Sequence, residues 1–203
     1  MITLYHAPRS RSGRIVWLLE ELGVTYDIRQ VSIFRPMTGE GQSDPTNPHP
    51  DARVPAVRHG DEVIAESVAI VLYLTDAFPA AKLGPVASEA GRGEYLTWLA
   101  WYAAEFEPAL FAGMGGELAA APMKQRNHDA VFARLETVLD KRPWLMGDHF
   151  TGADLLVASA LNFAREAFGP SAILDDYVAR CKARPAWLRY IALDEAEGVQ
   201  RAA

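Results

Sequence analysis

The chain has 203 residues and a single cysteine, Cys181. An intrachain disulfide is therefore excluded, and a reducing cytoplasm fits better than secretion. No apolar run approaches the ~18 residues of a membrane span. The opening MITLYHAPRS has neither the basic start nor the long apolar core of a secretory signal, so no membrane association is expected. Positive charge is short as well: 20 Lys and Arg against 26 Asp and Glu leave a net charge of −6. A nonspecific nucleic-acid binder needs a basic surface, so that class is disfavoured. A local basic cluster of Arg9, Arg11 and Arg14 remains. The histidines His6, His49, His59, His128 and His149 are scattered, without HxxxH or Cys–His spacing. No metal site is expected, and each reads as a surface or packing residue. The phosphate-binding P-loop, the dinucleotide glycine pattern and the GxSxG elbow of hydrolases are also missing.

Half of the residues are hydrophobic, enough for one large domain or two small ones. ITLYH reads as a strand. From Ser12 to Leu22, the residues Ile15, Val16, Leu18, Leu19 and Leu22 recur at helical spacing, and Gly23 stops that helix. YDIRQVSI is a second strand. Residues 34–51, with four prolines and two glycines, form a loop. VPAVRHGDEVIA is expected to make two short strands about a turn at His59 to Glu62, and ESVAIVLYLTDAF a helix. The order β-α-β, loop, β-β-α makes a small α/β layer with one parallel strand pair and one antiparallel hairpin.

The texture changes after Phe78. PAAKLGPVAS reads as a linker over residues 79–88, and residues 89–203 as an all-helical domain behind an α/β domain of residues 1–78. Helical period runs over Leu96 to Phe111, with a disturbance expected at Pro108 and an end at Gly113, Gly115 and Gly116. Further helices are expected over Met123 to Leu139, Gly152 to Phe168 and Ile173 to Ala183, with another after Pro185. FTGADL carries a capping-box variant: Thr151 at the N-cap, Asp154 three residues on, and Phe150 and Leu155 at the staple positions. Asp154 is thus a folding residue rather than a catalytic one.

Three local groups carry chemistry. In HAPRSRSGR, Ser10 and Ser12 stand where a strand runs into a helix. Backbone N–H groups and arginines there favour an anion such as a thiolate. A serine hydroxyl bonded to a thiol would shift it towards its ionised form; either serine also suits plain helix capping. In ARVPAV, Pro55 beside short strands marks an edge or a bend. A trans edge proline is one reading. A cis bond presenting the Val54 backbone to a peptide-like ligand is the other. In AESVAI, Glu66 offers a carboxylate to an ammonium, and Ser67 a hydroxyl and a helix start to a carboxylate. Together they suit an α-amino acid head group; separately they read as a surface glutamate and an N-cap serine.

In this order and at these distances, with VPAV followed by ESVAI and with FTGADLLVASAL in a helical second half, the chain resembles the cytosolic glutathione S-transferases of bacterial serine type. The resemblance implies a thioredoxin-like first domain, an all-helical second domain, glutathione as co-substrate and a cytoplasmic homodimer. It implies that Val54 pairs its backbone with the cysteinyl part, that Pro55 is cis, and that Arg53 touches the peptide. It also implies that Glu66 and Ser67 hold the γ-glutamyl head. Ser10 is then the leading candidate for the hydroxyl beside the sulfur, Ser12 the second and Tyr5 the third. The loop inserts Arg9 and Arg11 into the commoner pattern. Cys181, far along the chain, reads as a packing or surface residue.

The second substrate would be a small hydrophobic electrophile, with Tyr102, Phe106, Phe111 and Met114 expected to line an apolar pocket. The expected reaction is attack of glutathione thiolate on that electrophile. The same residues also serve glutathione-dependent isomerisation, disulfide reduction or peroxide reduction. A non-catalytic glutathione-binding protein of this fold is the remaining alternative.

Overall fold

The computed structural model describes residues 1–116 and 118–200, with side chains described through residue 194. Four strands, β1 (Ile2–His6), β2 (Tyr26–Gln30), β3 (Ala56–His59) and β4 (Glu62–Ala65), form one sheet in the order β2-β1-β3-β4. β1 and β2 run parallel; β3 is antiparallel to both β1 and β4. Two helices, α1 (Gly13–Leu22) and α2 (Ser67–Ala77), complete a thioredoxin-like layer. On β1, Ile2, Leu4 and His6 share one face and all three are buried, and Tyr5 on the other face is buried as well, as suits a central strand. On α1, Ile15, Val16, Trp17, Leu18 and Leu19 are all fully buried. Gly23, at φ 65°, ends α1 and donates its N–H to the Leu19 carbonyl at 3.1 Å.

The remaining helices are α3 (Arg92–Trp101), α4 (Glu107–Met114), α5 (Pro122–Leu139), α6 (Gly152–Phe163), α7 (Ala172–Lys182) and α8 (Pro185–Gln200). The chain divides into two compact units. One is Met1–Ala81 together with the segment from Pro185 onward; the other is Lys82–Arg184. The piece after Pro185, expected within the helical half, packs instead on α1. The Trp17 and Trp187 rings meet edge to face at 4.8 Å, and Arg189 pairs with Glu20. At Gly13, a Cβ would come within 2.8 Å of the Tyr190 hydroxyl, so glycine is what lets α8 approach the start of α1.

Within the second unit, the helix expected to be disturbed at Pro108 is disturbed one turn earlier. Tyr102–Phe106 form a π-helical turn between α3 and α4, and the Glu107 N–H reaches back to the Tyr102 carbonyl. Proline lacks the N–H that would continue the α-helical ladder, and its ring crowds the carbonyl four residues before it; widening that turn relieves both. Gly113 lies inside α4 and Gly115 caps it. The helix expected from Gly152 to Phe168 stops at Phe163 and resumes as a short 3₁₀ turn, Arg165–Phe168.

The capping motif is present and extended. The Asp154 carboxylate accepts the Thr151 N–H (2.9 Å), the Thr151 hydroxyl (2.8 Å), the Leu145 N–H (2.8 Å) and the Tyr177 hydroxyl (3.1 Å). Asp154 is fully buried, and burial pushes its pKa up against the downward pull of those hydrogen bonds.

Candidate active site

The strand register gathers the three local groups at one end of the sheet. Tyr5 pairs with Ala56, and Ala56 with Ala65. Paired Cα atoms lie about 4.5–5.5 Å apart. The chain leaving β1 (residues 7–12), the chain entering β3 (Arg53, Val54, Pro55) and the chain leaving β4 (Glu66, Ser67) therefore emerge side by side. Val54 lies two residues beyond the last paired position of β3 and packs with Tyr5, Ala7, Val31 and Ala56. The Val54–Pro55 bond is cis.

Of the three hydroxyl candidates, Ser10 is the one that is not buried. Tyr5 is 4 % exposed, and its hydroxyl accepts the Arg58 Nε–H at 3.4 Å. Ser12 is fully buried. Ser12 occupies the N-cap of α1, yet its side chain makes no capping bond. Its Oγ instead accepts the Ala7 N–H (3.1 Å), lies 2.8 Å from the Ser10 Oγ and lies 2.8 Å from the His6 Nδ1. The Ser10 hydroxyl donates to the Ala7 carbonyl at 2.6 Å.

The loop carrying Ser10 is fixed from outside. Arg35 donates to the Pro8 carbonyl (2.8 Å) and the Arg9 carbonyl (3.1 Å). The Arg9 N–H donates to the Asp194 Oδ2 at 3.2 Å. These contacts hold Arg9 in the left-handed region, at φ 54°, which costs a non-glycine residue about 1–2 kcal/mol.

Glu66 is the second strained residue here, at φ 68° and ψ 125°, and it too makes no capping bond although it occupies the N-cap of α2. Such strain persists where the surroundings over-determine the backbone, and it concentrates at ligand clamps. The Glu66 carboxylate is exposed and Ser67 is buried beside it. Arg53 is exposed and paired with Asp51, and its carbonyl accepts the Asn47 Nδ2–H at 2.8 Å. His49, in the same loop, is 6 % exposed and accepts the Asp51 N–H on Nδ1 at 3.0 Å. Burial first, then the Arg53 charge, holds its pKa below the ordinary 6.5.

Sequence reasoning missed His6, Asp194 and Arg35. His6 had a readable signal: it continues the core-facing register of Ile2 and Leu4, so a polar ring was bound to be buried next to the serine loop. Asp194 and Arg35 had none, since each meets the loop only through the fold.

The apolar set divides. Tyr102 and Phe106 are 2 % and 0 % exposed, stack on each other at 5.6 Å and, through Phe168, belong to the core of the second unit. They do not line an open pocket as expected, because the π-helical turn carries both inward. Phe111 is 40 % exposed and Met114 half-buried. Phe111 borders a shallow groove with Pro108, Met123 and Asn127. Cys181 is buried and burial pushes its thiol pKa far up, so it is unsuited to thiol chemistry.

Residues 1–76 match the family model of the glutathione S-transferase N-terminal domain, and residues 119–193 that of the C-terminal domain. Glutathione S-transferase GstB of Escherichia coli is 30 % identical over 78 % of this chain and 80 % of its own length. The chain belongs to the glutathione S-transferase family. Glutathione S-transferase GST-4.5 of Xanthomonas campestris is 27 % identical over 59 % of this chain, a match spanning 63 % of that relative. The crystal structure of a glutathione S-transferase from Actinobacillus pleuropneumoniae superposes with a TM-score of 0.79 at 28 % identity, covering 96 % of this chain and 93 % of that one.

Proposed function

We propose that this family member is an active glutathione transferase in which the Ser10 hydroxyl stabilises the glutathione thiolate. The observation that carries the reading is the meeting of Ser10, Val54 and Glu66–Ser67 at one sheet end, enforced by the Tyr5–Ala56–Ala65 register. A γ-glutamyl tripeptide matches that spread. Its α-ammonium meets the Glu66 carboxylate, and its α-carboxylate the Ser67 hydroxyl at the start of α2. Its cysteinyl backbone runs along Val54 as an added strand. Its sulfur then reaches Ser10, the one residue of the three that is not buried.

A free thiol ionises near pH 8.5 and is mostly protonated at neutral pH. A hydroxyl donor and the partial positive charge at the start of α1 favour the thiolate. The thiolate sulfur attacks the electrophilic carbon of the second substrate; a C–S bond forms, and the leaving group or the added carbon takes up the displaced electron pair. Of the apolar set, Phe111 and Met114 keep surface, and the preference for a small hydrophobic electrophile rests on them. Partly exposed Val68, Leu72, Tyr73 and Phe78 on and after α2 supply an apolar face for a homodimer, and the reading puts the protein in the cytoplasm with its thiol co-substrate.

The test is a glutathione titration followed by thiolate absorbance near neutral pH, on wild type and Ser10→Ala in parallel. Binding with thiolate formation in wild type, and binding without it in the variant, is the expected result. A wild type that does not bind glutathione refutes the transferase reading. Full thiolate formation in both Ser10→Ala and Ser12→Ala refutes a serine role.

A further inference from the structure

Behind Ser10 lies a line of polar groups, hydrogen-bonded from Ser10 through Ser12 to His6 and joined to Asp194 by an ion-pair contact that is not a hydrogen bond. Ser10 Oγ is 2.8 Å from Ser12 Oγ, which is 2.8 Å from His6 Nδ1; His6 Nε2 is 3.3 Å from Asp194 Oδ1. Ser12 and His6 are fully buried, while the Asp194 side chain keeps 12 % of its surface. Asp194 comes from α8 and is held by the Arg9 N–H on its other oxygen. Near Asp194 lie Tyr190 of α8, its pKa raised to about 12 chiefly by burial and then by that carboxylate, and Arg14 of α1, which pulls it back. A serine that served packing alone would not need a buried imidazole and a carboxylate behind it.

Proton counting gives the line a direction. Each hydroxyl carries one hydrogen. Ser12 Oγ accepts the Ala7 N–H, and its one hydrogen has three acceptors in reach: His6 Nδ1 and Ser10 Oγ, each at 2.8 Å, and the Ala7 carbonyl at the longer 3.2 Å. With a neutral imidazole whose Nε2–H faces Asp194, the Ser12 hydroxyl donates to Nδ1, and the Ser10 hydroxyl is drawn inward to Ser12 or to the Ala7 carbonyl. With an imidazolium paired to Asp194, Nδ1–H donates to Ser12, Ser12 donates to Ser10, and the Ser10 hydrogen is released to point at a sulfur.

We propose that His6 and Asp194 are positioning residues for thiol ionisation, acting on the substrate sulfur through Ser12 and Ser10. This rests on the transferase reading. The step balances. The thiol proton passes to Ser10 Oγ, the Ser10 proton to Ser12 Oγ, and the Ser12 proton to His6 Nδ1. A thiol and a neutral imidazole become a thiolate and an imidazolium, both hydroxyls keep one hydrogen, and the Ser10 hydrogen now faces the thiolate. Asp194 stabilises the new positive charge, and burial of the line keeps water from short-circuiting it.

The experiment measures the pH at which bound glutathione is half ionised, by thiolate absorbance, together with kcat, the KM for glutathione and the melting temperature. It compares wild type, Asp194→Asn and His6→Asn. Asp194→Asn keeps an oxygen acceptor for the Arg9 N–H and removes the charge; His6→Asn keeps an acceptor for Ser12 that takes up no proton. Asp194 retains surface, so its variant stands if the buried His6 variant does not fold. The expected result in Asp194→Asn is half-ionisation moved up by about one pH unit, with kcat at neutral pH down about tenfold. The KM for glutathione stays within about twofold and the melting temperature close to wild type, with partial recovery in Asp194→Glu. Unchanged half-ionisation in folded Asp194→Asn, while wild type still forms thiolate, overturns the relay and leaves the transferase reading intact. A wild type that forms no thiolate overturns both.

Discussion

Replacing Asp154 by alanine is expected to cost far more than the loss of an ordinary helix cap. A cap substitution costs about 1 kcal/mol. Here the carboxylate accepts four hydrogen bonds while fully buried. Two of the donors, the Leu145 and Thr151 N–H groups, are fixed by the backbone and cannot turn elsewhere. The Thr151 and Tyr177 hydroxyls can rotate, and Tyr177 already lies 3.3 Å from the Asp154 carbonyl oxygen. Stranding two fixed donors at about 1–3 kcal/mol each gives roughly 2–6 kcal/mol. Removing a buried charge returns part of its desolvation, which puts the net near 3–4 kcal/mol, or a melting temperature lower by about 10 °C for a chain of this size. Urea denaturation and thermal melts followed by circular dichroism measure both. Asparagine sets an amide N–H₂ against the two Thr151 donors and should recover less than half of the loss. The pH sign follows from the raised pKa. The contribution is fully present below the ordinary carboxylate value of 3.8 and is lost as pH rises through the folded value, a component that Asp154→Asn removes. A cost below about 1 kcal/mol in Asp154→Ala would refute the reasoning, since the network would then be worth no more than a surface cap.

His49 gives the opposite slope: its folded pKa lies below 6.5, so the stability it contributes is present above 6.5 and lost as pH falls through the folded value, and His49→Gln should flatten the urea midpoint between about pH 7 and 5. Glu66→Gly relieves a strained φ of 68° while deleting a carboxylate. Stability should stay within about 1 kcal/mol of wild type, while calorimetry shows glutathione affinity falling roughly 10- to 150-fold, as for loss of a charge-assisted hydrogen bond. Gly113→Ala would bring a Cβ to 2.5 Å from the Ala167 carbonyl oxygen, and thermal melts should show a loss of about 1–3 kcal/mol.

What could be read from the chain was what depends on neighbours in sequence. The α1 stripe, the hairpin about His59 to Glu62, the Thr151–Asp154 box and the strand-to-helix corners at Ser10 and Ser67 are local patterns, and each formed where its pattern stood. The stacking of Tyr102 and Phe106 was illegible because an aromatic repeat at helical spacing fits a core and a pocket wall equally, and the turn that decides between them is a π-helical irregularity. The partner of His6 was illegible for another reason: residues 6 and 194 meet only once α8 has returned to α1, and no periodicity within either segment encodes that meeting.

That return of α8 gives the chain an order of completion. Residues 1–81 contain every group proposed to touch glutathione, yet on their own they would leave Trp17 bare where Trp187 should sit and Arg9 without the carboxylate that holds its strained turn. A ribosome delivers those residues before Asp194, which follows only after the whole helical unit has been made. The serine loop is thus finished by a segment made after the helical unit, and a chain stalled before α8 would carry the groups proposed to touch glutathione without the support that sets the hydroxyl.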